Sequence, residues 1–345
     1  MLKPIMIVGE AWGEKEEQAR APFVGPSGTQ LNQFLAIAGL SRDECYLTNV
    51  FNLRPRPTND VLNLCGPKAT AIPDLPALAP GKYIRTEFAH EIQRLYHEIN
   101  AVQPNIIIAL GGTALAVLVQ AKLSIEDNRG GLLLTKFLRG DGTPIKLITT
   151  YHPAAVLREW KLRPIVIADF KKAARHARSP DFNRPARRIR IYPSIPDLAD
   201  FEMEFFADQW DRPTAVDIET KSGTITEIGF APACGDAIVI PFYSRLQPSG
   251  NYWATAQEEI EAWHYVKSWL TRLRRPIFQN GLYDINYLWR TMGIKTLGAD
   301  EDTMLLAHAI QPEMKKKLGF LGSIYTDEPP WKLMRRSDTL KKEDE

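Results

Sequence analysis

The sequence has little cysteine and no long apolar run. Its 345 residues include three scattered cysteines, Cys45, Cys65 and Cys234, and none of them forms a C-x-x-C pair. This excludes a disulfide framework and argues against a zinc ribbon or a cysteine-ligated iron–sulfur cluster. No stretch reaches the ~18 apolar residues of a membrane-spanning helix, and no signal-peptide pattern opens the chain. We therefore expect a cytoplasmic protein with no membrane contact.

The sequence also has almost no net charge, at +2. Residues 1–183 carry 22 Lys and Arg against 17 Asp and Glu, whereas residues 184–345 carry 21 against 24. Binding to nucleic acid requires local basic clusters, and metal-binding carboxylates in one half would lower the total charge. The charge balance therefore does not exclude DNA as a partner. The length corresponds to about two domains.

The first half alternates strand-like and helix-like segments, which predicts an α/β domain over residues 1–178 with a parallel sheet between two helical layers. In such a sheet, functional residues lie at the carboxyl ends of the strands. The proline-rich segment 54–85 is predicted to be a long loop. The predicted strands are Pro4–Val8, Tyr46–Val50, Asn105–Leu110 and Ile145–Thr149. The predicted helices are Thr29–Ala38, Glu87–Val102, Thr113–Ala121 and Pro164–Arg178.

The second half places several strands before its helices, which predicts a mixed sheet with an antiparallel edge. Residues 179–186 are a predicted linker, residues 187–332 a second domain, and residues 333–345 a polar tail. The predicted strands are Arg187–Tyr192, Thr214–Glu219, Thr224–Phe230, Asp236–Phe242 and Pro276–Gln279, of which the third and fourth form a hairpin. The predicted helices are Glu258–Arg274 and Leu282–Thr291.

Four segments of the first half supply a carboxylate, an aromatic ring, an amide and an imidazole, in Glu10, Phe23, Asn49 and His152. Cleavage of an N-glycosidic bond requires such a set, because the base must be flipped out, stacked on a ring and read at its edge. An imidazole N–H can stabilise the leaving base, and a carboxylate can orient water or stabilise the sugar cation. Taken singly, these residues could equally be a solvated carboxylate, a core ring, a turn cap and a loop histidine.

Residues 5 to 178 resemble the uracil-DNA glycosylase superfamily, family four branch, whose opening motif reads G-E-A-P-G-x-x-E-D-x-x-G-x-P-F-V-G-x-A-G. Segment Gly9–Gly28 matches that motif, Thr48–Val50 followed by Arg54-Pro55 matches the second, and His152–Arg158 matches the late H-P-[AS] motif. The resemblance implies that Glu10 serves the water or the sugar cation and that His152 contacts the base oxygen. It also implies a substrate-binding role for Gly9, Phe23 and Asn49, with Phe23 stacked on uracil and Asn49 reading its edge.

The sequence departs from the family pattern at several positions. Trp12 replaces the motif proline, which would reshape the base pocket, and Arg20 replaces a motif glycine. The family holds an iron–sulfur cluster through four cysteines, and Leu53 stands where one of them is expected. No iron–sulfur cluster is therefore expected in this chain.

Paired carboxylates mark the second half. Asp217 and Glu219 alternate on a predicted strand, so both face the same side of the sheet. Downstream, Asp284 lies at the start of a helix, and Asn280 can contact substrate or cap that helix. Asp217, Glu219 and Asp284 could hold two Mg²⁺ or Mn²⁺ ions for phosphodiester hydrolysis. A D-x-E pair alone is a weak signal, because solvated acidic pairs are common.

Residues 187 to 332 resemble the DnaQ-like, ribonuclease H-like proofreading exonuclease domain of family A DNA polymerases. Asp217 and Glu219 match its first motif, and Asn280 with Asp284 match its second, N-x-x-x-D. Segments 302–308 and 318–332 resemble the D-T-M-L and Y-T-x-E-P stretches of the phage-type polymerases. Asp302 itself is expected to cap a helix rather than to bind metal. The third motif, Y-x-x-x-D, is missing: Met334 stands four residues before Asp338, so the resemblance implies a site one carboxylate short.

These patterns predict a DNA-processing hydrolase, the amino-terminal part of a phage-type family A polymerase in a bacterial or phage-infected cell. It would combine uracil excision or sensing with 3′–5′ exonuclease activity, and its partner would be single-stranded or primer-template DNA. A second interpretation is a catalytically deficient DNA-holding subunit of a split polymerase that has a separate polymerase chain. A nucleotide-binding protein is a third, although the glycine-rich Gly9–Gly13 lacks the G-K-[ST] of a phosphate loop. The basic Arg187–Arg190 could contact a DNA backbone or belong to an ordinary solvated strand.

Overall fold

The computed structural model describes residues 3–182, 186–298 and 301–328. The chain forms two compact units, Met1–Phe182 with Gly319–Glu345, and Asn183–Leu318. The predicted polar tail, 333–345, and the centre of the predicted linker lie outside the described residues. No helix within the described ranges is both long and apolar enough to cross a membrane.

The first unit is built on a five-stranded sheet of order β2-β1-β5-β7-β6, in which the first four strands are parallel. The strands of this unit are β1 (Ile5–Ala11), β2 (Cys45–Phe51), β3 (Cys65–Gly66), β4 (Tyr83–Ile84), β5 (Ile106–Leu110), β6 (Leu132–Leu138) and β7 (Pro144–Thr150). Its helices are α1 (Glu14–Ala19), α2 (Pro26–Ile37), α3 (Ala89–Val102), α4 (Gly112–Val119), α5 (Ile125–Asn128), α6 (Pro153–Arg158) and α7 (Arg163–His176).

Helices cover both faces of this sheet, as the continuous apolar runs of its strands predict. All five residues of β5 are buried, and neighbouring positions pack into different clusters: Ile107 lies in one and Ile108 in the other. Strand β1 alternates in the same way, with Met6 on one side and Ile7 on the other. A central strand buried on both faces needs no polar alternation.

The prediction of a parallel sheet is wrong at one edge. Strand β6 was not predicted, and it pairs antiparallel to β7. Residues 139–143 join the two strands in a short turn, in which the Arg139 N–H donates to the Thr143 carbonyl at 2.8 Å. A connection of this length permits only an antiparallel neighbour, because a parallel one needs a longer crossover. The predicted long loop, 54–85, is also more ordered than expected, because Cys65–Gly66 and Tyr83–Ile84 form a two-stranded sheet.

The second unit contains a six-stranded mixed sheet of order β13-β12-β9-β10-β11-β8. Its strands are β8 (Arg188–Arg190), β9 (Thr214–Lys221), β10 (Thr224–Ala233), β11 (Asp236–Pro241), β12 (Pro276–Phe278) and β13 (Glu301–Asp302). Its helices are α8 (Ile195–Phe205), α9 (Ala256–Arg272), α10 (Leu282–Met292) and α11 (Thr303–Ile310). The predicted hairpin is confirmed, since β10 and β11 are antiparallel and joined through Gly235 with φ of 98°.

One face of this sheet carries the core of the second unit. Ile218, Ile228 and Ile238 from neighbouring strands pack with Phe201 of α8 and Trp269 of α9 in one cluster. The side chains of β9 alternate between the two faces, so Asp217 and Glu219 are exposed on the face opposite the core. The prediction that Asp217 and Glu219 share one face of β9 is therefore confirmed. Helix α8 was not predicted from the sequence.

The last helix, α12 (Leu318–Tyr325), belongs to the first unit from Gly319 onward. The buried Lys172 ammonium donates to the carbonyls of Gly130, Ser323 and Thr326 at 2.8, 2.5 and 2.5 Å. Asp327 then pairs with Arg175 at 3.2 Å. The predicted second domain, 187–332, differs from the observed second unit at this carboxyl end.

Candidate functional site

A cleft of about 510 Å³ lies at the carboxyl ends of β1, β2, β5 and β7 in the first unit. Four residues singled out in the sequence, Glu10, Phe23, Asn49 and His152, all line this cleft. The first and last of them are 142 positions apart in the sequence. The parallel sheet brings all four together because the carboxyl ends of its strands meet at one edge. The cleft is also lined by Trp12.

Glu10 lies near the end of β1, with its carboxylate held by a residue that the sequence did not reveal. The Thr113 hydroxyl donates to Glu10 Oε2 at 2.5 Å. Thr113 stands in the first turn of α4, directly after the Gly111-Gly112 turn that ends β5. Burial raises the pKa of Glu10, and the Thr113 hydrogen bond opposes that rise because it favours the ionised form.

Phe23 is held in the left-handed backbone region, with φ of 55°. Such a conformation costs a bulky residue about 1–3 kcal/mol, so its surroundings must hold it there. Glu16 Oε1 accepts the N–H groups of Val24 and Gly25 at 3.1 and 2.7 Å. Arg42 donates to the Phe23 carbonyl at 3.1 Å. No sequence pattern indicated Arg42, because its contact depends on the tertiary fold.

Gly28 is required beside this loop. A Cβ at Gly28 would lie 1.8 Å from the Phe23 carbonyl oxygen, which is backbone and cannot move aside. Arg20, where the family has glycine, ends α1 with φ of 50°. Glycine is the usual residue at such a helix end, so its replacement adds strain without changing the path of the chain.

Gly9 and Asn49 are direct partners across the parallel strands β1 and β2. A Cβ at Gly9 would lie 2.3 Å from Asn49 Oδ1 and 2.6 Å from Phe23 Cζ. The absence of a side chain at Gly9 therefore lets the Asn49 amide and the edge of the Phe23 ring pack directly against the strand backbone. Arg94 fixes this part of β2 from behind, since it donates to the Asn49 carbonyl at 2.8 Å.

His152 is the N-cap of α6 and follows β7. Its Nδ1 accepts the Ala154 N–H at 3.2 Å, so the neutral ring carries its proton on Nε2. Burial, with a smaller contribution from Arg158, lowers the pKa of His152 to about 4. The ring lies 6.2 Å from the Phe23 ring between centroids. At neutral pH this cleft therefore contains a neutral imidazole with one N–H donor.

Trp12 stands where the family pattern has proline. Its backbone N–H donates to the Leu53 carbonyl at 3.1 Å, and its side chain lines the cleft. Indole Nε1 of Trp12 is buried and has no hydrogen-bond partner. Trp12 therefore adds both bulk and an unused donor to the cleft.

The cysteines of this chain cannot supply the four ligands of the iron–sulfur cluster that the family pattern implies. Cys45 is buried, and burial raises the pKa of its thiol to about 12. The half-buried Cys65 lies on the short strand β3, and Cys234 belongs to the second unit. Leu53 packs against the apolar core instead of offering a ligand.

The carboxylates of the second unit lie on β9 and in the first turn of α10. Asp217 and Glu219 project from the exposed side of β9. Asp284 is buried on α10, and its Oδ1 accepts the Ile218 N–H at 3.1 Å. Burial, with a smaller contribution from the Asp217 charge, raises the pKa of Asp284 to about 6. One oxygen of Asp284 is therefore engaged by the strand backbone.

The structure does not support the predicted Mg²⁺ or Mn²⁺ site. Among the described residues, no three His, Cys, Asp or Glu side chains form a group that could hold a metal ion. The capping prediction for Asp302 is confirmed, because its carboxylate accepts the N–H groups of Met304 and Leu305. It also accepts the N–H groups of Asn280 and Gly281, which fixes the turn before α10.

The basic strand β8 is already neutralised by neighbouring carboxylates. Arg188 pairs with Glu204 and Asp236 at 2.6 and 2.7 Å, and Arg190 pairs with Glu204 at 2.6 Å. These contacts favour the interpretation of β8 as an ordinary solvated edge strand.

Comparison with known proteins agrees with the geometry of the first unit. Residues 2–177 match the Uracil DNA glycosylase superfamily. The Type-4 uracil-DNA glycosylase of Thermotoga maritima is 35% identical over 172 residues, which cover 49% of this chain and 75% of that protein. The Type-4 enzyme of Archaeoglobus fulgidus is 32% identical over 174 residues, with 49% and 74% covered. That of Sulfurisphaera tokodaii is 32% identical over 185 residues, with 51% and 71% covered.

The match extends over the strands and loops that build the cleft, from Gly9 to His152. With half of its length matched and three quarters of a relative covered, the chain belongs to the uracil-DNA glycosylase superfamily.

Proposed function

We propose that the first unit hydrolyses the N-glycosidic bond of deoxyuridine in DNA. The observation that carries the proposal is the convergence of Glu10, Phe23, Asn49 and His152 on one cleft of about 510 Å³. The relatives named above are uracil-DNA glycosylases, and these four residues lie within the matched range.

The proposed reaction uses four side chains. A flipped uracil stacks on Phe23, and the Asn49 amide, which both donates and accepts, reads its edge. The bond between C1′ and N1 breaks, its electron pair passes to the base, and His152 Nε2–H stabilises the oxygen that gains charge. Ionised Glu10 stabilises the sugar cation and orients the water whose oxygen bonds to C1′, while one proton of that water passes to the released uracil anion. No step in this scheme needs a metal or a cluster.

An assay for alkali-labile abasic sites tests this proposal. Native protein should cleave single-stranded and mismatched uracil substrates after alkali treatment, and Asn49→Ala should reduce the rate at least ~100-fold because the base edge is no longer read. Asn100→Ala is the matched control, since Asn100 is exposed on α3. An inactive native protein at high concentration, or an Asn49→Ala variant as active as native, would refute the proposal.

We further propose that the second unit has a ribonuclease H-like fold of the proofreading exonuclease type. Three antiparallel strands, β9 to β11, continue on the side of β9 into the parallel strands β12 and β13. Asp217 and Glu219 lie on the first of these strands, and Asp284 faces it from α10. The units would then correspond to a glycosylase-like domain and an exonuclease-like domain of a phage-type family A polymerase.

Within that fold we infer a DNA-holding role rather than an efficient nuclease. The inference is supported by the engagement of Asp284 with the β9 backbone and by the lack of a third ligand near Asp217 among the described residues. Incubation of 5′-labelled single-stranded DNA with native protein and Mg²⁺ should give at most slow shortening. Rapid Mg²⁺-dependent degradation that is lost in Asp217→Ala would show instead that the nuclease site is complete.

A further inference from the structure

The carboxyl end of β2, which carries Asn49, is held by side chains of helix α3. Strand β2 lies at the edge of the five-stranded sheet, and within the described residues it pairs with β1 alone. Backbone groups on its other side therefore need hydrogen-bond partners from outside the sheet. At this end of the strand, Arg94 supplies donors and Glu91 supplies an acceptor.

Arg94 contacts three consecutive residues of β2. Its Nη2 donates to the carbonyls of Asn49 and Val50 at 2.8 and 3.2 Å. Its Nη1 donates to the Thr48 hydroxyl at 3.1 Å. Because a guanidinium group presents its donors in a planar fork, these bonds together define where the strand end lies against α3.

Two carboxylates of α3 hold the guanidinium group in turn. Arg94 Nε donates to Glu91 at 3.0 Å, and Nη1 donates to Glu98 at 2.7 Å. The buried Glu91 also accepts the Asn52 N–H at 2.7 Å. Leu53, where the family pattern has a cysteine, is the next residue. Ion pairs and hydrogen bonds to α3 therefore hold this part of the chain, at the position where the family pattern has a metal ligand.

Asn49 has its backbone and its side chain in different surroundings. Its carbonyl is bound by Arg94, whereas its side chain lines the cleft together with Phe23. Arg94 is not among the residues that line this cleft. Because the asparagine side chain is short, its amide must follow any movement of its own backbone. A displacement of the strand end would therefore move the amide relative to the Phe23 ring.

We propose that Arg94 is a positioning residue for base recognition and that it acts through the backbone of Asn49. The inference rests on the proposed function, since Asn49 reads a base only when a nucleotide occupies the cleft. Loss of the Arg94 side chain should weaken recognition of the base and leave contacts with the rest of the DNA unchanged.

Binding to DNA with and without the base tests the proposal. One single-stranded probe carries 2′-fluoro-deoxyuridine, whose glycosidic bond resists cleavage, and the other carries a tetrahydrofuran abasic analogue at the same position. Native protein should bind the first probe more tightly. Arg94→Met should reduce this preference about tenfold, which corresponds to one hydrogen bond to the base edge, and should bind the second probe with native affinity.

Arg94→Lys separates positioning from stability. Lysine keeps a positive charge beside Glu91 and Glu98, but its compact ammonium group cannot span Thr48 and two carbonyls at once. The urea midpoint of Arg94→Lys should therefore be closer to the native value than that of Arg94→Met, whereas its preference for the base should be lost. Gln93→Met is the matched control, because Gln93 is exposed on the same helix.

Single-turnover uracil release at saturating protein gives a second readout. Arg94→Met should release uracil about 10- to 100-fold more slowly than native protein, because the reading amide is displaced. In a protein that already carries Asn49→Ala, the same change should have no further effect, since the two residues act in series. Independent, multiplicative effects would show that Arg94 does not act through Asn49.

A native-like preference for the base and native-like release in Arg94→Met would overturn the proposal. Equal weakening of both probes would overturn it too, since Arg94 would then support only the general structure. A base preference that depends on Arg94, in a protein that releases no uracil, would support the positioning role and refute the glycosylase activity. Uracil release that is independent of Arg94 would support the activity and refute the positioning role.

Discussion

Gly9 and Asn49 face each other across β1 and β2, and the absent Cβ of Gly9 lets the Asn49 side chain and the Phe23 ring pack against β1. The sequence pattern singled out both residues, because they stand in motifs that resemble those of a known family. It did not reveal the residues that hold them. Thr113 and Arg42 lie far from the motifs in sequence, and only the fold brings them to Glu10 and to the Phe23 loop.

Thr113→Val should shift the acid limb of the pH profile of uracil excision to higher pH. The Thr113 hydrogen bond lowers the pKa of Glu10 against the effect of burial, so its removal raises that pKa further. The ionised carboxylate would then be lost at a higher pH. The measurement is the single-turnover rate between pH 4 and 8, with Thr113→Ser as the control that restores the hydrogen bond. An unchanged acid limb in Thr113→Val would contradict the assigned contact.

His152 should make the native protein less stable in mild acid. Its pKa is 6.5 when exposed and about 4 in the cleft, so the folded state binds fewer protons than the unfolded state in this window. The stability that comes from the neutral ring is present above pH 6.5 and is lost as the pH falls toward 4. The urea midpoint should be lower at pH 5 than at pH 7, and this decrease should be larger in native protein than in His152→Gln. Equal falls would show that the ring is not desolvated.

At the scale of elements, apolar runs and turn residues predicted most strands and their order of appearance. The run at β5 is buried on both faces and was recognisable without any alignment. Strand β6 was missed because its outer half is exposed at a sheet edge, and its pattern is weak. Helix α8 was missed although Ser194 and Asp197 form a capping box at its start, a local signal that could have found it.

Lys172 should be essential for the attachment of the last helix. Lys172→Met leaves the carbonyls of Gly130, Ser323 and Thr326 without this donor, which should lower the free energy of unfolding by about 1–3 kcal/mol. Lys171→Met is the matched control, since its neighbour Lys171 is exposed on the same helix, and its effect should stay within about 0.5 kcal/mol. Urea unfolding gives both values. Hydrogen exchange of residues 322–328 should accelerate in Lys172→Met alone, and unchanged exchange would contradict the anchor.

At the scale of the whole molecule, length and charge indicated two domains, and the chain forms two compact units. The helix from Gly319 onward joins the first unit, which no sequence pattern indicated, because the buried Lys172 that receives it looks like any other lysine in the sequence. The metal prediction is not supported by the described residues. The spacing of Asp217, Glu219 and Asp284 indicated a site in the sequence, but only the structure reveals that Asp284 accepts the Ile218 N–H.

The first unit should fold without iron. Its cysteines are too few for a four-cysteine cluster, and apolar packing around Leu53 takes the place of a ligand. Protein produced with an iron chelator should have the same unfolding midpoint as protein produced with added iron, and both should lack stoichiometric iron by elemental analysis. Iron bound at four atoms per chain, with a lower midpoint after chelation, would contradict this expectation.

The central claim is that a uracil base binds in the cleft against Phe23 and Asn49, whose positions depend on the absence of a side chain at Gly9. The most direct measurement compares single-turnover uracil release by native protein, Gly9→Ala and Gly140→Ala, because a Cβ at Gly140 meets open space. The account predicts release by native protein and Gly140→Ala, and none by a folded Gly9→Ala protein, because its Cβ displaces Asn49 and Phe23. Release by Gly9→Ala at the native rate would contradict it.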